Sequence, residues 1–202
     1  MRDTIRLSVI LGIICVISAL VLSGMYSLTR DRIEQANARK LEEALAQVLP
    51  GQNSFKAFED LGNALNGSVG SVTEVYLASG DDSGGIAAKA APAGYGGPIE
   101  MVVGIARDGA VRGVRIISQS ETPGLGTEVT RDAFTGQFEG RSTPESLKVK
   151  QDGGSIDAVT GATISSRAVT RGVSDVLDVF HRLSALGVLA GGSSSAGEEE
   201  QN

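Results

Sequence analysis

The sequence predicts an α+β domain that follows a single N-terminal transmembrane helix. Three observations lead to this fold class: an uncharged apolar run near the N-terminus, a series of short strands joined by tight turns, and a long amphipathic helix near the C-terminus. Short turns pair consecutive strands in antiparallel fashion, and the helices lie at the ends of the strand region. We therefore expect a mainly antiparallel sheet with flanking helices rather than a doubly wound fold.

The apolar run is LSVILGIICVISALVLSGMY, Leu7 to Tyr26. About 20 residues that rise about 1.5 Å each span a hydrocarbon core of about 30 Å. A cleaved signal peptide is the competing interpretation, but its apolar core usually has about 7 to 15 residues and an A-x-A site close behind it. We predict a retained anchor at 7–27, whose orientation the basic residues on its two sides leave open.

A second helix is predicted directly after the anchor, from the sequence DRIEQANARKLEEALAQVL. Its apolar residues fall near one helical face, and Pro50-Gly51 ends the pattern. We expect a stalk helix within 28–50 that continues out of the membrane, with this face formed by Ile33, Leu41, Leu45 and Val48.

The strands begin after the stalk, where the apolar period changes. Strands are predicted at 72–79, 98–106 and 110–118, and Arg107-Asp108-Gly109 is a hairpin turn between the last two. In the middle strand every second residue is apolar, which is typical of a half-buried strand; these residues are Ile99, Met101, Val103 and Ile105. A further strand is predicted at 147–151, before a turn at 152–155.

The last helix carries one apolar stripe at spacings of three and four residues, which predicts that it packs on the sheet. The stripe consists of Val169, Val173, Val176, Phe180 and Leu183. A short helix is also expected after Thr127. The globular domain is predicted to extend over 51–190, and the small, polar and acidic segment 191–202 is predicted to be a disordered tail.

Composition excludes several classes of function. The net charge of −6 does not supply the basic face that phosphate backbones require, so we expect no nucleic-acid partner. Cys15 and His181 are single residues of their type, which excludes an intramolecular disulfide and four-cysteine ligation of zinc or an iron–sulfur cluster by this chain alone. We expect no metal site, and any redox chemistry points to an organic cofactor.

Glycine-rich segments need separate treatment, because the chain has 27 glycines. GLGTEV, from Gly124, begins like a dinucleotide fingerprint but has Val129 where the third glycine belongs, and no G-K-[ST] follows any glycine loop. The longer segment SETPGLGTE combines Pro123 with Gly124 and Gly126, which favours a tight loop that lets the backbone approach a flat ligand. The alternative is a plain connection with Thr127 as the N-cap of a helix.

The segment DAVTGATISSR, which begins at Asp157, opens the last helix with several hydroxyl groups. Capping explains one of Thr163, Ser165 and Ser166 but not the whole set. A helix N-terminus also attracts a phosphate through its unpaired N–H groups and its dipole. Arg167 and Arg171, in the first turns, would add positive charge if they point that way.

Three motifs in order resemble one known family: GYGGPI (94–99), ETPGLG (121–126) and the pattern D-x-x-[ST]-G-A-T, which Asp157 and Thr160 to Thr163 match without a gap. The chain resembles the FMN-binding G subunit of the Rnf electron-transport complex, a relative of the C subunit of the sodium-pumping NADH:quinone oxidoreductase. The resemblance covers nearly the whole chain. The length of the chain favours the Rnf-type subunit over its longer relative in the sodium-pumping enzyme.

The resemblance implies that FMN is attached through its phosphate to the Thr163 hydroxyl by a separate, magnesium-dependent flavin transferase that uses FAD. Asp157 and Thr160 would belong to the sequence that the transferase recognises. The other candidate cofactor contacts are Gly161, Ala162 and Ser165 in the same motif, and Tyr95, Glu121, Thr122, Pro123, Gly124, Leu125 and Gly126. No catalytic residue is expected.

For the whole protein, the resemblance implies an electron relay between membrane subunits during ferredoxin:NAD oxidoreduction coupled to ion transport. It places the N-terminus (1–6) in the cytoplasm and the flavin domain on the outer face of the cell membrane. The chain would then lack a complete active site of its own. The alternatives are a membrane-anchored flavin-binding sensory or scaffold module, and the equivalent subunit of the sodium-pumping enzyme.

Overall fold

The computed structural model describes residues 2–52, 54–65, 67, 69–79 and 85–190. Its contacts divide the chain into two compact units, with the boundary between Leu41 and Glu42. The expected tail at 191–202 lies outside the described residues.

The first helix, α1 (Arg2–Val48), is continuous, so the predicted anchor and stalk are one helix. Within it, Ile5–Tyr26 has the length and composition of a membrane-spanning helix, with a mean hydropathy of 2.7 and apolar side chains exposed. The helix ends just before Pro50, which cannot continue it, and Gly51 follows with a positive φ of 89°.

The second unit is built on one five-stranded sheet in which every neighbouring pair is antiparallel and the spatial order equals the chain order. The predicted strands at 72–79, 98–106 and 110–118 are confirmed, and Gly109 in the turn between the last two has φ +84°. The strands are β1 (Ser54–Ala57), β2 (Val72–Ser79), β3 (Ile86–Ala90), β4 (Glu100–Ile105) and β5 (Val111–Ser118).

Both faces of β4 are buried, so the expectation of a half-buried strand is wrong. One face carries Met101, Val103 and Ile105 into the main core, as the alternation indicates. The other face is covered by the end of α1: a Cβ atom on Gly104 would lie 2.8 Å from the carbonyl carbon of Val48. The sequence pattern shows alternation but not what covers the second face.

The last helix, α4 (Thr163–Ala185), packs on the sheet through the predicted stripe, all five residues of which are buried. His181 is exposed beside Phe180, as expected for a solvated helix residue. Two one-turn helices complete the α-helices of the described chain, α2 (Leu61–Ala64) and α3 (Asp132–Thr135).

Two expectations between β5 and α4 need correction. The short helix expected after Thr127 is present as α3, but a 3-10 turn at Gly126–Thr130 comes before it. The N-cap residues are Leu125 for that turn and Arg131 for α3, so the N-cap role expected for Thr127 is wrong. The strand predicted at 147–151 is only an isolated bridge between Val149 and Ile156. The chain reverses there through a 3-10 turn at Lys150–Asp152, which leaves no length for a strand.

Candidate functional site

The first turn of α4, the loop after β5 and the loop before β4 meet around a cleft of about 480 Å³. This volume lies within the range of about 300 to 1,000 Å³ that is usual for small-molecule sites. We call it the α4 cleft. Its lining consists of Tyr95, Glu121, Thr122, Leu125, Gly126, Gly161, Ala162, Thr163, Ile164 and Ser165.

Glu121 holds the three segments together. Its Oε1 atom accepts hydrogen bonds from the backbone N–H groups of Tyr95 (2.9 Å) and Gly96 (3.0 Å). Its Oε2 atom accepts one from the Ser165 hydroxyl at 2.6 Å. The side chain is 5% exposed, and both of its oxygens are hydrogen-bonded within the protein.

Glycine allows the loops to approach Glu121 closely. A Cβ atom on Gly126 would lie 2.7 Å from Cβ and 2.8 Å from Oε2 of Glu121, so a larger residue there would displace the carboxylate. Gly124, two residues earlier, has φ +73°, as the tight-loop interpretation predicts. Within the ETPGLG segment, the backbone at Gly126 therefore packs directly against the Glu121 side chain.

The N-terminus of α4 has no side-chain cap. Its N-cap residue is Ala162, and the first backbone bond of the helix runs from Ser166 N to Ala162 O at 2.9 Å. The hydroxyl of Ser165 bonds to Glu121 and that of Ser166 bonds to Ala162 O. The capping interpretation of these hydroxyls is therefore wrong, and the N–H groups of the first turn stay available to an anion.

Thr163 is the first residue of α4 and is half-buried at the cleft. Within the described part of the chain, its hydroxyl forms no hydrogen bond. A hydroxyl in this position lies beside the uncapped end of the helix, where the dipole favours negative charge. A phosphate ester on this oxygen would therefore occupy a favourable electrostatic position.

The two arginines in the first turns of α4, Arg167 and Arg171, do not line the cleft. Arg167 forms a bidentate ion pair with Asp152, with both N–O distances 2.6 Å. The hydrogen bond from Arg167 holds the pKa of Asp152 below its ordinary value of 3.8. Arg171 lines, with both of these residues, a separate open groove beside α4. The expectation that the arginines add positive charge at the anion site is therefore wrong.

The start of the D-x-x-[ST]-G-A-T motif lies outside the cleft. Asp157 is exposed, and its carboxylate pairs with Lys150 Nζ at 2.6 Å. The Gln137 side chain clamps its backbone, accepting from Asp157 N at 2.7 Å and donating to Asp157 O at 3.2 Å. Thr160 is exposed as well. Of the predicted site residues, four do not line the cleft: Asp157, Thr160, Pro123 and Gly124.

An apolar rim surrounds the mouth of the cleft. Tyr95, Leu125 and Ile164 are 71%, 47% and 50% exposed, although large apolar side chains of the second unit are mostly buried. Ile164 is absent from the sequence-based prediction. Its signal was available: it lies five residues before Val169, which places it roughly 140° from the core stripe at about 100° per residue. An apolar residue off that stripe packs on something other than the sheet.

The arrangement suits a flat ligand that carries a phosphate. The rim offers apolar contact, the glycine loop allows close approach, and the uncapped end of α4 offers N–H groups to an anion. Groups of side chains that could hold a metal ion do not occur among the residues the structure describes. The described cleft residues supply neither a thiol nor an imidazole.

Comparison with protein families gives two matches. Residues 94–178 match the FMN-binding domain family, and residues 1–48 match the RnfG N-terminal region. The first match contains every segment of the α4 cleft, and the second contains α1.

Relatives match over most of the chain. The G subunit of the ion-translocating oxidoreductase complex of Aliivibrio fischeri (strain MJ11) is 37% identical, over 82% of this chain and 85% of its own. The G subunit of the Na(+)-translocating ferredoxin:NAD(+) oxidoreductase complex of Acetobacterium woodii is 33% identical, over 89% and 92%.

Among solved structures, the C subunit of the Na(+)-translocating NADH-quinone reductase of Parabacteroides distasonis shares the fold. Its TM-score is 0.51 at 18% identity, over 82% of this chain and 98% of that one. The structural likeness shows the fold alone. The sequence matches show the family, because they exceed 30% identity over most of both chains. The chain belongs to the RnfG family, the G subunits of ion-translocating oxidoreductase complexes.

Proposed function

We propose that this protein is the flavin-bearing electron-relay subunit of an Rnf-type membrane complex, and that FMN is esterified through its phosphate to Thr163. The observation that carries the proposal is the Thr163 hydroxyl, which is free of hydrogen bonds within the described chain and lies at an uncapped helix N-terminus beside the α4 cleft. The FMN-binding domain match over residues 94–178 supports the identity of the ligand.

Attachment at Thr163 requires an external catalyst, because the one carboxylate among the described cleft residues, Glu121, bonds to Tyr95, Gly96 and Ser165 and not to the Thr163 hydroxyl. In the proposed transfer, the Thr163 oxygen forms a bond to the FMN phosphorus of FAD. The bond from that phosphorus to the AMP half breaks, AMP leaves, and the hydroxyl proton passes to the transferase. The resulting diester keeps one negative charge, which the amide end of α4 stabilises.

Residues of the chain position the cofactor and shield it. The first-turn N–H groups of α4 would hold the phosphate, and Tyr95, Leu125 and Ile164 would contact the flat ring system. When bound, the isoalloxazine supplies reversible electron transfer, while the protein determines its position and its potential. A covalent link prevents loss of the cofactor during repeated encounters with redox partners.

The proposed topology follows the candidate span at Ile5–Tyr26. The N-terminus lies in the cytoplasm, and the flavin domain lies on the outer face of the membrane. The partners are the other membrane subunits of the complex, with the flavin transferase needed for maturation. The relatives from Aliivibrio fischeri and Acetobacterium woodii are both named as subunits of complexes, which supports this assignment.

Coexpression with a flavin transferase tests the attachment. The denatured wild-type chain should give a band that fluoresces under ultraviolet light, and peptide mapping by mass spectrometry should find the adduct on Thr163. Thr163→Val should abolish the band. Thr143→Val is the matched control, because Thr143 is exposed and remote in sequence from the motif. A wild-type chain without the adduct would remove the proposal.

Co-purification tests the relay role separately from the attachment. An electron-relay subunit should purify from native membranes in fixed ratio with other membrane redox subunits. A sensory or scaffold module should purify alone or with a signalling protein, and that result would contradict the role even if FMN is attached.

A further inference from the structure

We propose that the buried carboxylate of Glu121 lowers the redox potential of the flavin in the α4 cleft. The inference rests on the proposed function for the presence of FMN. It assigns to Glu121 an electrostatic role in addition to its structural one: the residue joins three segments, and it also places one negative charge in the wall of the cofactor site.

Among the described residues that line the cleft, no cation compensates the charge of Glu121. Among the described residues that line the cleft, Glu121 is the only one with a carboxylate, and no lysine, arginine or histidine lies with it. Its three partners are two backbone N–H groups and one hydroxyl, which stabilise the anion as dipoles without neutralising it. The arginine nearest in sequence to this end of α4, Arg167, is paired with Asp152 in the other groove.

The competing field comes from the end of α4. A helix N-terminus is equivalent to roughly +0.5 elementary charge, whereas an ionised carboxylate carries a full negative charge. The proposed phosphate diester, itself an anion, would lie against the same helix end and offset that positive field. The carboxylate of Glu121 is then the one full charge that the described side chains of the cleft add to the site.

The sign of the effect follows from charge balance. Each electron that enters the cleft without a proton adds one negative charge to it. Repulsion by Glu121 makes that addition less favourable, so the potential falls, and because the side chain is buried, salt screens the interaction little. The exposed carboxylates of the chain lack this property.

Glu121→Gln separates the charge from the geometry. The amide oxygen can still accept from Tyr95 N and Gly96 N, and the amide NH₂ can donate to the Ser165 hydroxyl, which is able to act as an acceptor instead of a donor. The substitution therefore removes the charge while every hydrogen bond keeps a partner. Glu59→Gln is the matched control, because the exposed Glu59 follows β1, at the opposite edge of the sheet from β5.

The test is the flavin midpoint potential, measured by spectroelectrochemistry on the full-length flavinylated chain in detergent. Glu121→Gln should shift the potential to a more positive value, at low and at high salt, and Glu59→Gln should leave it unchanged. A fully flavinylated Glu121→Gln protein with the wild-type potential, or a more negative one, would overturn the inference.

A second pair keeps the test decisive if Glu121→Gln folds poorly. Glu121→Asp and Glu121→Asn both shorten the side chain by one methylene and differ in charge, so the Asn variant should have the more positive potential. Equal potentials for the two would overturn the inference. A wild-type chain without flavin would instead contradict the proposed function, which keeps the two failures distinguishable.

Discussion

The Ser165 hydroxyl donates a 2.6 Å hydrogen bond to Oε2 of Glu121, 44 residues earlier in the chain. Both side chains are almost fully buried, at 2% and 5% exposure. The bond ties the first turn of α4 to the loop after β5, and through the other carboxylate oxygen it reaches the loop at Tyr95. The walls of the α4 cleft are therefore joined by one carboxylate.

Ser165→Ala should destabilise the fold by about 1 to 3 kcal/mol, because it removes one donor from a buried charged acceptor. Urea unfolding of the detergent-solubilised chain, followed by circular dichroism, measures the change. Ser155→Ala is the control: Ser155 is exposed, and its substitution should stay within about 0.5 kcal/mol of wild type. Equal effects of the two substitutions would contradict the structural role of the hydrogen bond.

Gly104→Ala should destabilise the protein, although alanine restricts the unfolded chain more than glycine does and would by itself favour the folded state. The added methyl group would meet the backbone of Val48, whose carbonyl carbon lies 2.8 Å from the Cβ position, and backbone does not yield as a side chain does. Overpacking of this kind costs about 1 to 3 kcal/mol.

Gly62→Ala should change the free energy of unfolding in the opposite direction to Gly104→Ala, in the same urea unfolding assay. Gly62 lies in α2 with nothing within 4 Å of its Cβ position, so alanine should raise stability by about 0.5 to 1 kcal/mol. A neutral Gly104→Ala would mean that the end of α1 does not pack on β4 as described.

Strands and helices with a strong apolar period were predictable from the sequence, as β4 and α4 illustrate. Two strands gave no such signal. β1 has four residues and a largely exposed pattern, and β3 reads IAAKA, in which alanine carries little strand preference. Both are held by pairing with β2, which lies between them, and local sequence does not encode that pairing.

At the site, the motifs predicted segments that lie around one cleft, but not the direction of each side chain. Glu121 lines the cleft, and its role in joining two other segments through its oxygens was not predicted. Arg167 was a candidate for the anion because of its place in the first turns of α4, yet Asp152, 15 residues away, pairs with it. Both outcomes depend on contacts between segments that spacing within one motif does not reveal.

Leu125→Ser combined with Ile164→Ser should loosen the attached flavin without detaching it. Burial of a large apolar side chain contributes about 1.5 to 3 kcal/mol when complete, and these two side chains are about half exposed, so about 1 kcal/mol each is at stake. The loss should increase quenching of flavin fluorescence by iodide and lower its anisotropy.

Leu186→Ser is the control for the rim, because Leu186 is 58% exposed and is not among the cleft residues. It should leave both fluorescence readings unchanged. Unchanged readings for the double variant would show that the rim does not contact the ring system.

The ion pair between Asp152 and Arg167 should make stability depend on acid pH. The hydrogen bond from Arg167 lowers the pKa of Asp152 from 3.8 in the folded state, so the unfolded chain binds this proton first as the pH falls. The stabilisation is therefore complete at neutral pH, where both states are ionised, and is lost as the pH falls through 3.8 towards the folded-state pKa.

Asp152→Asn should lower the melting temperature at pH 7, and its difference in melting temperature from wild type should shrink as the pH falls below 3.8. Arg167→Gln should lower the melting temperature at pH 7 by the same amount as Asp152→Asn. Glu139→Gln is the control and should leave the melting temperature unchanged, because Glu139 is exposed and has no ion pair among the described residues. A difference between Asp152→Asn and wild type that persists unchanged to pH 2 would rule out the ion pair as its cause.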